Sequence, residues 1–367
     1  MIVLYTIVIV YFIVLYTAQV FQVLVLWFDK PKDLSAIDIF PFVSILLAVR
    51  NEEAHILDCL KAISKLDWPK DRLEILVGDD ASTDQTASII KQFILHRPEF
   101  RLYTITENLG LARGKANVLA QLAHQARGTF FYITDADIRV SQGWLKGLYA
   151  AFETGIGNVN GVSLVRGKSR FATMQSLDWL YAFGQLRVMT VVNTPITAVG
   201  NNMLVSREAY FSTGGYENIP FSITEDFELF KALRAKGWVC KNLFQPEVLV
   251  ETEPIVGWKN LFHQRKRWMT GAFQLPGLMV ALLIVQGMFL PMLILSFLCF
   301  PIGILLWVLK AILDYSFLRI AESKLSVQGY LRGFLWRELS LPWLIVAQVM
   351  YFAIPGDIDW KGRKYKK

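Results

Sequence analysis

No charged residue occurs between Ile2 and Phe28, a run longer than the roughly 20 residues a helix needs to cross a bilayer, so this segment is expected to be a membrane helix. A secretory leader would begin with positive charge, carry a shorter apolar core and end on small residues, and none of these is present. The pattern then changes to short apolar runs separated by polar ones. Phe42–Val49 (FVSILLAV) lies between Pro41 and the polar Arg50-Asn51-Glu52-Glu53 and reads as a buried strand meeting a helix start. Leu73–Val77, Arg101–Thr106 and Thr129–Thr134 repeat the strand pattern, while Gln85–Leu95 and Ala112–Ala126 have helical spacing. Strands alternating with helices predict a parallel, doubly wound α/β sheet, which binds ligands beyond the carboxyl ends of its strands. Further on, Leu275–Leu309 is again uncharged and long enough for two connected helices, with Gly287, Pro291, Pro301 and Gly303 as breaks. Leu339–Ile354 is a shorter apolar stretch.

The spacing predicts a transmembrane helix over 1–28, a linker over 29–40 and a water-facing domain over 41–272. A membrane region of two to three helices over 275–354 and a basic tail over 355–367 follow. Composition supports this division: 54% of the 367 residues are hydrophobic and 19% charged, with nearly all acids between Glu52 and Glu253. The net charge of +7 comes from Lys and Arg beside the apolar segments, where anionic headgroups explain it without a nucleic-acid partner. Cys59, Cys240 and Cys299 are far apart, which argues against a disulfide framework and fits a reducing cytosolic face. With four histidines in all, any metal is expected to be a hard ion on carboxylate oxygens.

Lys30 and Lys32, just after the first apolar run, place the following domain in the cytoplasm by the positive-inside tendency. Lys310, Arg319, Lys324, Arg332 and Arg337 mark a cytoplasmic loop by the same rule, as does the tail WKGRKYKK. Three full crossings after a cytoplasmic domain would leave that tail outside. Leu339–Ile354, bracketed by Pro342 and Pro355, is therefore expected to be re-entrant or interfacial.

Candidate chemistry gathers at the predicted strand ends. Asp135-Ala136-Asp137 follows YIT, where two carboxylates one residue apart can face one divalent ion that bridges the phosphates of a nucleotide sugar. Asp79 and Asp80 follow the second strand and either meet a ligand or cap a helix, the latter being the simpler role for Asp84. Thr224-Glu225-Asp226 opens a helix; its acids either favour the helix dipole or supply a general base in Asp226. His263-Gln264-Arg265-Lys266-Arg267-Trp268 suits an interfacial anchor, or a clamp for a diphosphate beside a sugar. Lys115 is a further phosphate candidate or a solvated lysine at a helix start.

In order along Phe42–Gly271, AVRNEE, VGDDASTDQT, GLARGKAN, DAD, TED and QRKRW resemble the family 2 glycosyltransferases, the inverting group that includes cellulose and hyaluronan synthases and ceramide glucosyltransferase. The resemblance implies a GT-A fold flanked by transmembrane helices. It implies nucleotide-sugar contacts from Val49, Glu52, Asp79, Asp80, Lys115 and Asp135, with Mg or Mn on Asp137 and Asp135. It makes Asp226 the catalytic base and puts Glu225, Gln264, Arg267 and Trp268 near the diphosphate and acceptor. Asn201 and Asn202, in AVGNNMLVSREAYFSTGGY, are acceptor or sugar contacts or else buried turn residues.

The expected protein is thus an integral membrane enzyme, cytoplasmic in its catalytic part and set in a bacterial inner membrane. It moves a sugar from a nucleotide donor, UDP-linked by expectation, to a hydroxyl of a lipid or glycan acceptor. Few spans and the terminal WKGRKY resemble the lipid-acceptor branch. The alternatives are a subunit of a processive polysaccharide synthase and a catalytically silent scaffold that binds nucleotide sugars.

Overall fold

The computed structural model describes residues 2–30, 37, 39–272, 274–299 and 302–356, and the backbone of 358–360 and 363–365. Lys32, Pro301 and the side chains of the basic tail lie outside the described residues. In chain order the elements are α1 (Ile2–Phe28), β1 (Val43–Val49), α2 (Ile56–Ile63), β2 (Leu73–Asp79), α3 (Thr86–Ile94), β3 (Phe100–Thr104), α4 (Gly114–Gln125) and β4 (Phe130–Asp135). Then come β5 (Ile138–Arg139), α5 (Trp144–Tyr149), β6 (Ile156–Asn160), β7 (Val162–Val165), α6 (Arg170–Val191), β8 (Asn202–Ser206), α7 (Arg207–Ser212), α8 (Glu225–Ala235), β9 (Val239–Asn242) and β10 (Leu249–Thr252). The chain closes with α9 (Trp258–Ala272), α10 (Gly277–Gly287), α11 (Phe289–Cys299), α12 (Gly303–Lys324), α13 (Phe334–Ala353), β11 (Ile358–Trp360) and β12 (Arg363–Tyr365).

These elements form two compact units. One is an α/β unit of Pro31–Leu164 and Thr197–Glu253; the other is a helical unit of Met1–Lys30, Val165–Ile196 and Pro254–Lys367. Residues 165–196 and 254–272, expected inside a 41–272 domain, group with the terminal helices instead. Local pattern does not reveal which distant element covers a helix, so this grouping was not readable in the sequence.

In the α/β unit a seven-stranded sheet has the order β3-β2-β1-β4-β8-β6-β9, and a second sheet has the order β5-β10-β7. The pairs β1–β2, β1–β4 and β2–β3 are parallel, as the alternating pattern predicts. The sheet is nevertheless mixed, because β8 runs antiparallel to both β4 and β6. All seven residues of β2 are buried, as in a strand covered on both faces. Register matters most for function. Val49 lies opposite Asp79, and Ala48 opposite Asp135, so the three polar strand tips emerge at one edge. At the opposite, amino ends, buried Glu74 accepts hydrogen bonds from Ser44 Oγ (2.7 Å) and from Arg127 N (2.6 Å) and Nε (3.0 Å). A groove of about 980 Å³ lined by Phe42, Lys70, Glu74, Arg97 and Arg127 lies at that end and contains none of the candidate residues.

In the helical unit, α1 is the one described single helix long and apolar enough to cross a membrane. Ile9, Val10, Ile13, Trp27 and Phe28 lie on its exposed surface. Its inner face carries polar groups: Tyr11 and Tyr16 donate to the carbonyls of Val285 and Leu306, and Gln19 to Asp314 Oδ1 at 2.8 Å. Helices α10 and α11 bend by 51° where they meet. Pro291 supplies no N–H for the carbonyl four residues back, which accounts for the break. Leu339–Ile354, expected to be re-entrant or interfacial, lies largely in the 20-residue helix α13, which runs through Pro342.

The charges expected to mark a loop between spans are corrected too. Lys310, Arg319 and Lys324 belong to the continuous helix α12, and Lys310 and Arg337 are buried. Lys310 Nζ meets Asp314 Oδ2 at 2.7 Å and Glu338 Oε2 at 2.8 Å; Arg337 contacts Glu338 and Asp178. Buried charges persist only when paired. Lys310 and Arg337 thus join α12, α13 and α6.

Candidate active site

Two loops are sewn together at the carboxyl ends of β1 and β2. Asn51, with φ of +52°, accepts from Thr83 N through its side chain (2.8 Å) and donates its own N–H to Ser82 Oγ (3.0 Å). Asp84 accepts from Glu53 N, while Glu53 accepts from Gln85 N. Asp84 also accepts from Thr86 N at 3.0 Å, a local turn just before α3, whose N-cap position is Gln85. Left-handed backbone at Asn51 and at Ala81 (φ +51°) costs energy in a non-glycine residue, and here the cross-loop bonds maintain it.

This stitching leaves Asp79 and Asp80 almost fully buried at the edge. Asp79 Oδ1 accepts from Ser82 N and Oγ, and the Asp80 carbonyl accepts from Arg50. Val49 is buried, and its carbonyl receives Asp80 N at 2.9 Å. Glu52 is nearly buried; its N–H meets Thr86 Oγ1 and its carbonyl caps the start of α2.

The second cluster forms around Lys115 in the first turn of α4. Its Nζ lies 2.6 Å from Asp135 Oδ1, 3.0 Å from Glu225 Oε1 and 3.4 Å from the Gly200 carbonyl. The side chain is only 12% exposed, so it is not the solvated lysine its local sequence allows. Burial lowers its ammonium pKa, but the charges of Asp135, Glu225 and Asp226 outweigh this and hold it well above the usual lysine range.

Asp226 stands in the first turn of α8, half-buried, with Oδ2 accepting from Gly200 N (2.8 Å) and Oδ1 from Phe227 N (2.9 Å). Loss of solvent, and then the neighbouring charge of Glu225, push its pKa up from 3.8 to about 6. Lys115 and the two backbone N–H groups oppose that rise. Gly200 permits the close approach, since a Cβ there would sit 3.0 Å from Asp226 Cβ and 3.2 Å from its Oδ2.

Asp135 and Asp137 flank the buried Ala136, with Thr252 Oγ1 donating to Asp137 Oδ2 at 3.2 Å. Beneath them Cys59 donates its thiol towards the Asp135 carbonyl at 3.6 Å. Its burial, followed by the charges of Asp137, Asp135 and Glu52, raises the thiol pKa far above the usual range and keeps it an inert packing group. Among the described residues, no three His, Cys, Asp or Glu side chains are grouped to hold an ion. A pair of carboxylates, one of them a third exposed, suits a hard cation that completes its shell with water and phosphate oxygens.

The structure corrects one proposed contact. Asn202 is fully buried: its Nδ2 donates to the carbonyls of Val162 and Val248 at 2.9 Å, and its Oδ1 accepts from Trp144 Nε1 at 2.8 Å. It is a structural residue that joins β8, α5 and the loop before β10. Asn201 Oδ1 accepts from Ser163 Oγ at 2.8 Å, and its carbonyl receives Thr134 Oγ1, so it too serves the turn entering β8.

The QRKRW segment lies on α9 in the helical unit. Gln264, Arg267 and Trp268, at i, i+3 and i+4, share one face, and Trp268 is 40% exposed with its edge against Trp179. The intervening residues are structural: Arg265 pairs with Asp178, and buried Lys266 donates to the Ile354 carbonyl at 2.9 Å. Gly200 was not singled out in the sequence. A glycine before two asparagines carries no local mark of its neighbours.

Comparison with known proteins bears on the fold and the family. The chain is 29% identical over 244 residues to the beta-monoglucosyldiacylglycerol synthase of Nostoc sp., a match covering 64% of this chain and 49% of that protein. It is 28% identical to the poly-beta-1,6-N-acetyl-D-glucosamine synthase of Staphylococcus aureus, over 67% of this chain and 58% of that one. The matches span about half the length of the curated relatives. Among solved structures, the mannosyltransferase PcManGT of Pyrobaculum calidifontis, in complex with GDP-Man and Mn2+, superposes with a TM-score of 0.58 at 20% identity. That match covers 94% of this chain and 98% of the other, a likeness of fold, GT-A in type. The profile of glycosyl transferase family 21 matches residues 4–367, and the chain belongs to that family.

Proposed function

We propose that the protein is a membrane-bound, inverting glycosyltransferase that moves a sugar from a nucleotide donor, UDP-linked, to a hydroxyl of a membrane lipid. The observation that carries the reading is Asp226. Its carboxyl is oriented by two backbone N–H groups, and its pKa of about 6 leaves it mostly ionised yet basic at neutral pH. Asp226 takes the proton of the acceptor hydroxyl as that oxygen attacks the anomeric carbon from the face opposite the departing diphosphate. Lys115 keeps Asp135 and Glu225 compensated, which limits the repulsion that Asp226 feels on ionising.

Asp79 and Asp80, fixed at the tip of β2, take the nucleotide, with Val49 and Glu52 on the adjoining tip. A divalent cation, Mg or Mn, held by Asp135 and Asp137, would neutralise charge on the leaving nucleoside diphosphate. Gln264, Arg267 and Trp268 serve the diphosphate and acceptor: a guanidinium matches phosphate oxygens in pairs, and an indole face supports a sugar ring.

The apolar exposed surface of α1 supports a membrane anchor, and the relative named for a glucosyldiacylglycerol supports a lipid acceptor. The active side is cytoplasmic on this reading. Transfer assays with UDP- and GDP-sugars and a membrane lipid extract, with and without Mn2+ and with products identified by mass, test it. Asp226→Asn should abolish transfer while nucleotide binding survives; full turnover by that variant would remove Asp226 from the role of base. Single transfer gives one defined mass increment, and a ladder of products would instead indicate a polymerase like the Staphylococcus aureus relative.

A further inference from the structure

The turn that leads into α9 and the start of α6 meet at one surface of the helical unit. Gln175 on α6 clamps that turn, its Nε2 donating to the Ile255 carbonyl and its Oε1 accepting from Ile255 N, both at 3.0 Å. The Phe171 and Trp258 rings pack edge to face at 4.7 Å, and a Cβ on Gly167 would lie 3.9 Å from Pro254. Phe171, Ile255 and Phe262 pack in turn on Met174, Leu261 and Leu344. The junction is firmly held, yet apolar groups remain on its outside: Val256 is 79% exposed and Trp258 47%. Gly257 between them is left-handed (φ +82°) with open space around it, as at the tip of a turn.

Cations flank this tip. Lys168 and Arg170 are chain neighbours of Gly167 and Phe171, and Lys259 follows Trp258; all three are exposed, and none has an ion-pair partner among the described residues. The helical unit holds no acid to spare for them. Each of its described carboxylates is already paired: Asp29 with Arg187, Asp178 with Arg265 and Arg337, Asp314 and Glu338 with Lys310, and Glu322 with Arg319. An exposed indole and valine among uncompensated cations match the headgroup layer of an anionic bilayer, where phosphates meet the cations and the acyl boundary takes the apolar tip. A soluble anion would answer the charge but leave Val256 and Trp258 in water.

We infer that residues 168–170 and 256–259 form a membrane contact separate from α1, in which Lys168, Arg170 and Lys259 bind anionic lipid headgroups and Val256 and Trp258 sit at their base. The inference rests on the membrane-bound reading. The test uses the full chain carrying Cys299→Ser and a polarity-sensitive fluorophore on Val256→Cys; the remaining thiols, Cys59 and Cys240, are buried. The label is read in vesicles of phosphatidylcholine with and without phosphatidylglycerol, with a lipid spin-labelled near its headgroup as quencher. It should be blue-shifted and quenched in the anionic vesicles and largely released in the neutral ones, and added salt should weaken the quenching. Each cation is worth roughly fivefold in the docking equilibrium, so combining Lys168→Gln, Arg170→Gln and Lys259→Gln should shift it by roughly 100-fold and abolish the quenching.

Equal quenching in neutral and anionic vesicles, or quenching that survives the triple substitution, would overturn the inference, because the cations would then not hold the contact. A label that stays in water in both vesicles would overturn it outright. A second label on Ile13→Cys, on the exposed surface of α1, separates this inference from the reading beneath it. If a lipid spin-labelled deep in its acyl chain fails to quench that label, the membrane-bound reading fails and this inference falls with it. Quenching at Ile13→Cys with none at Val256→Cys removes this inference alone.

Discussion

Replacing Glu225 by Gln tests the electrostatics of the proposed base without touching Asp226 itself. Solvent exclusion is the larger cause of the raised Asp226 pKa and the Glu225 charge comes second, with Lys115 opposing both. Together they move the carboxyl from 3.8 to about 6. Neutralising Glu225 removes a repulsion and also frees Lys115, now 3.0 Å from Glu225, to act more fully on Asp135 and Asp226. Both changes favour the ionised base. Because burial remains, the return is partial, about one pH unit, equivalent to about 1.4 kcal/mol.

The assay is kcat/KM against pH, whose acidic limb reports the free enzyme's base. At pH 5 a group of pKa about 6 is about one-tenth ionised and one of pKa about 5 is half ionised. Activity at pH 5 relative to the plateau should therefore rise about fivefold in the variant. The position of the limb, which is independent of its height, is the quantity compared between the two enzymes. A limb that stays near 6, or moves to higher pH, would refute the assignment of that ionisation to Asp226 under the influence of Glu225.

Further outcomes follow from the same geometry. Lys115→Met strips three carboxylates of their shared cation and should move the acidic limb in the opposite direction, above 6, with a large loss of turnover, read from the same pH profile. Gly200→Ala places a methyl group 3.0 Å from Asp226 Cβ and should lower kcat by roughly tenfold through misplacement of the base, with donor affinity nearly unchanged in a binding titration. Asp226→Asn should raise the thermal midpoint at pH 8 more than at pH 5. A carboxyl whose pKa is raised on folding contributes stability below about pH 4 and loses it as pH rises through 6, so at pH 8 the wild type bears the cost of ionisation. Lys310→Met leaves Asp314 and Glu338 buried with only Arg337 to compensate them; a loss of about 3–5 kcal/mol is expected in detergent unfolding.

Much of this protein is written in short-range pattern. The uncharged run Ile2–Phe28 is one helix, and FVSILLAV, LEILV and TFFYIT fall on the central strands β1, β2 and β4, because buried parallel strands must be continuously apolar. The acidic tips at the strand ends are legible for the same reason: polar residues follow where the apolar core stops.

Whatever depends on a partner far along the chain could not. Lys115 looked like a surface lysine until Asp135 and Glu225, 20 and 110 positions away, closed around it. Asn202 looked like a sugar contact until its amide was seen bonded to Val162, Val248 and Trp144. Lys310 and Arg337 counted as loop charges by local composition, yet their acids come from α12, α13 and α6. The antiparallel strand β8 and the exit of α6 and α9 from the α/β unit belong to the same class. Hydrophobic period and chain-local caps act over a turn or two and are legible in order. Charge compensation and hydrogen-bond satisfaction act through space, and only the packed chain decides which groups they join.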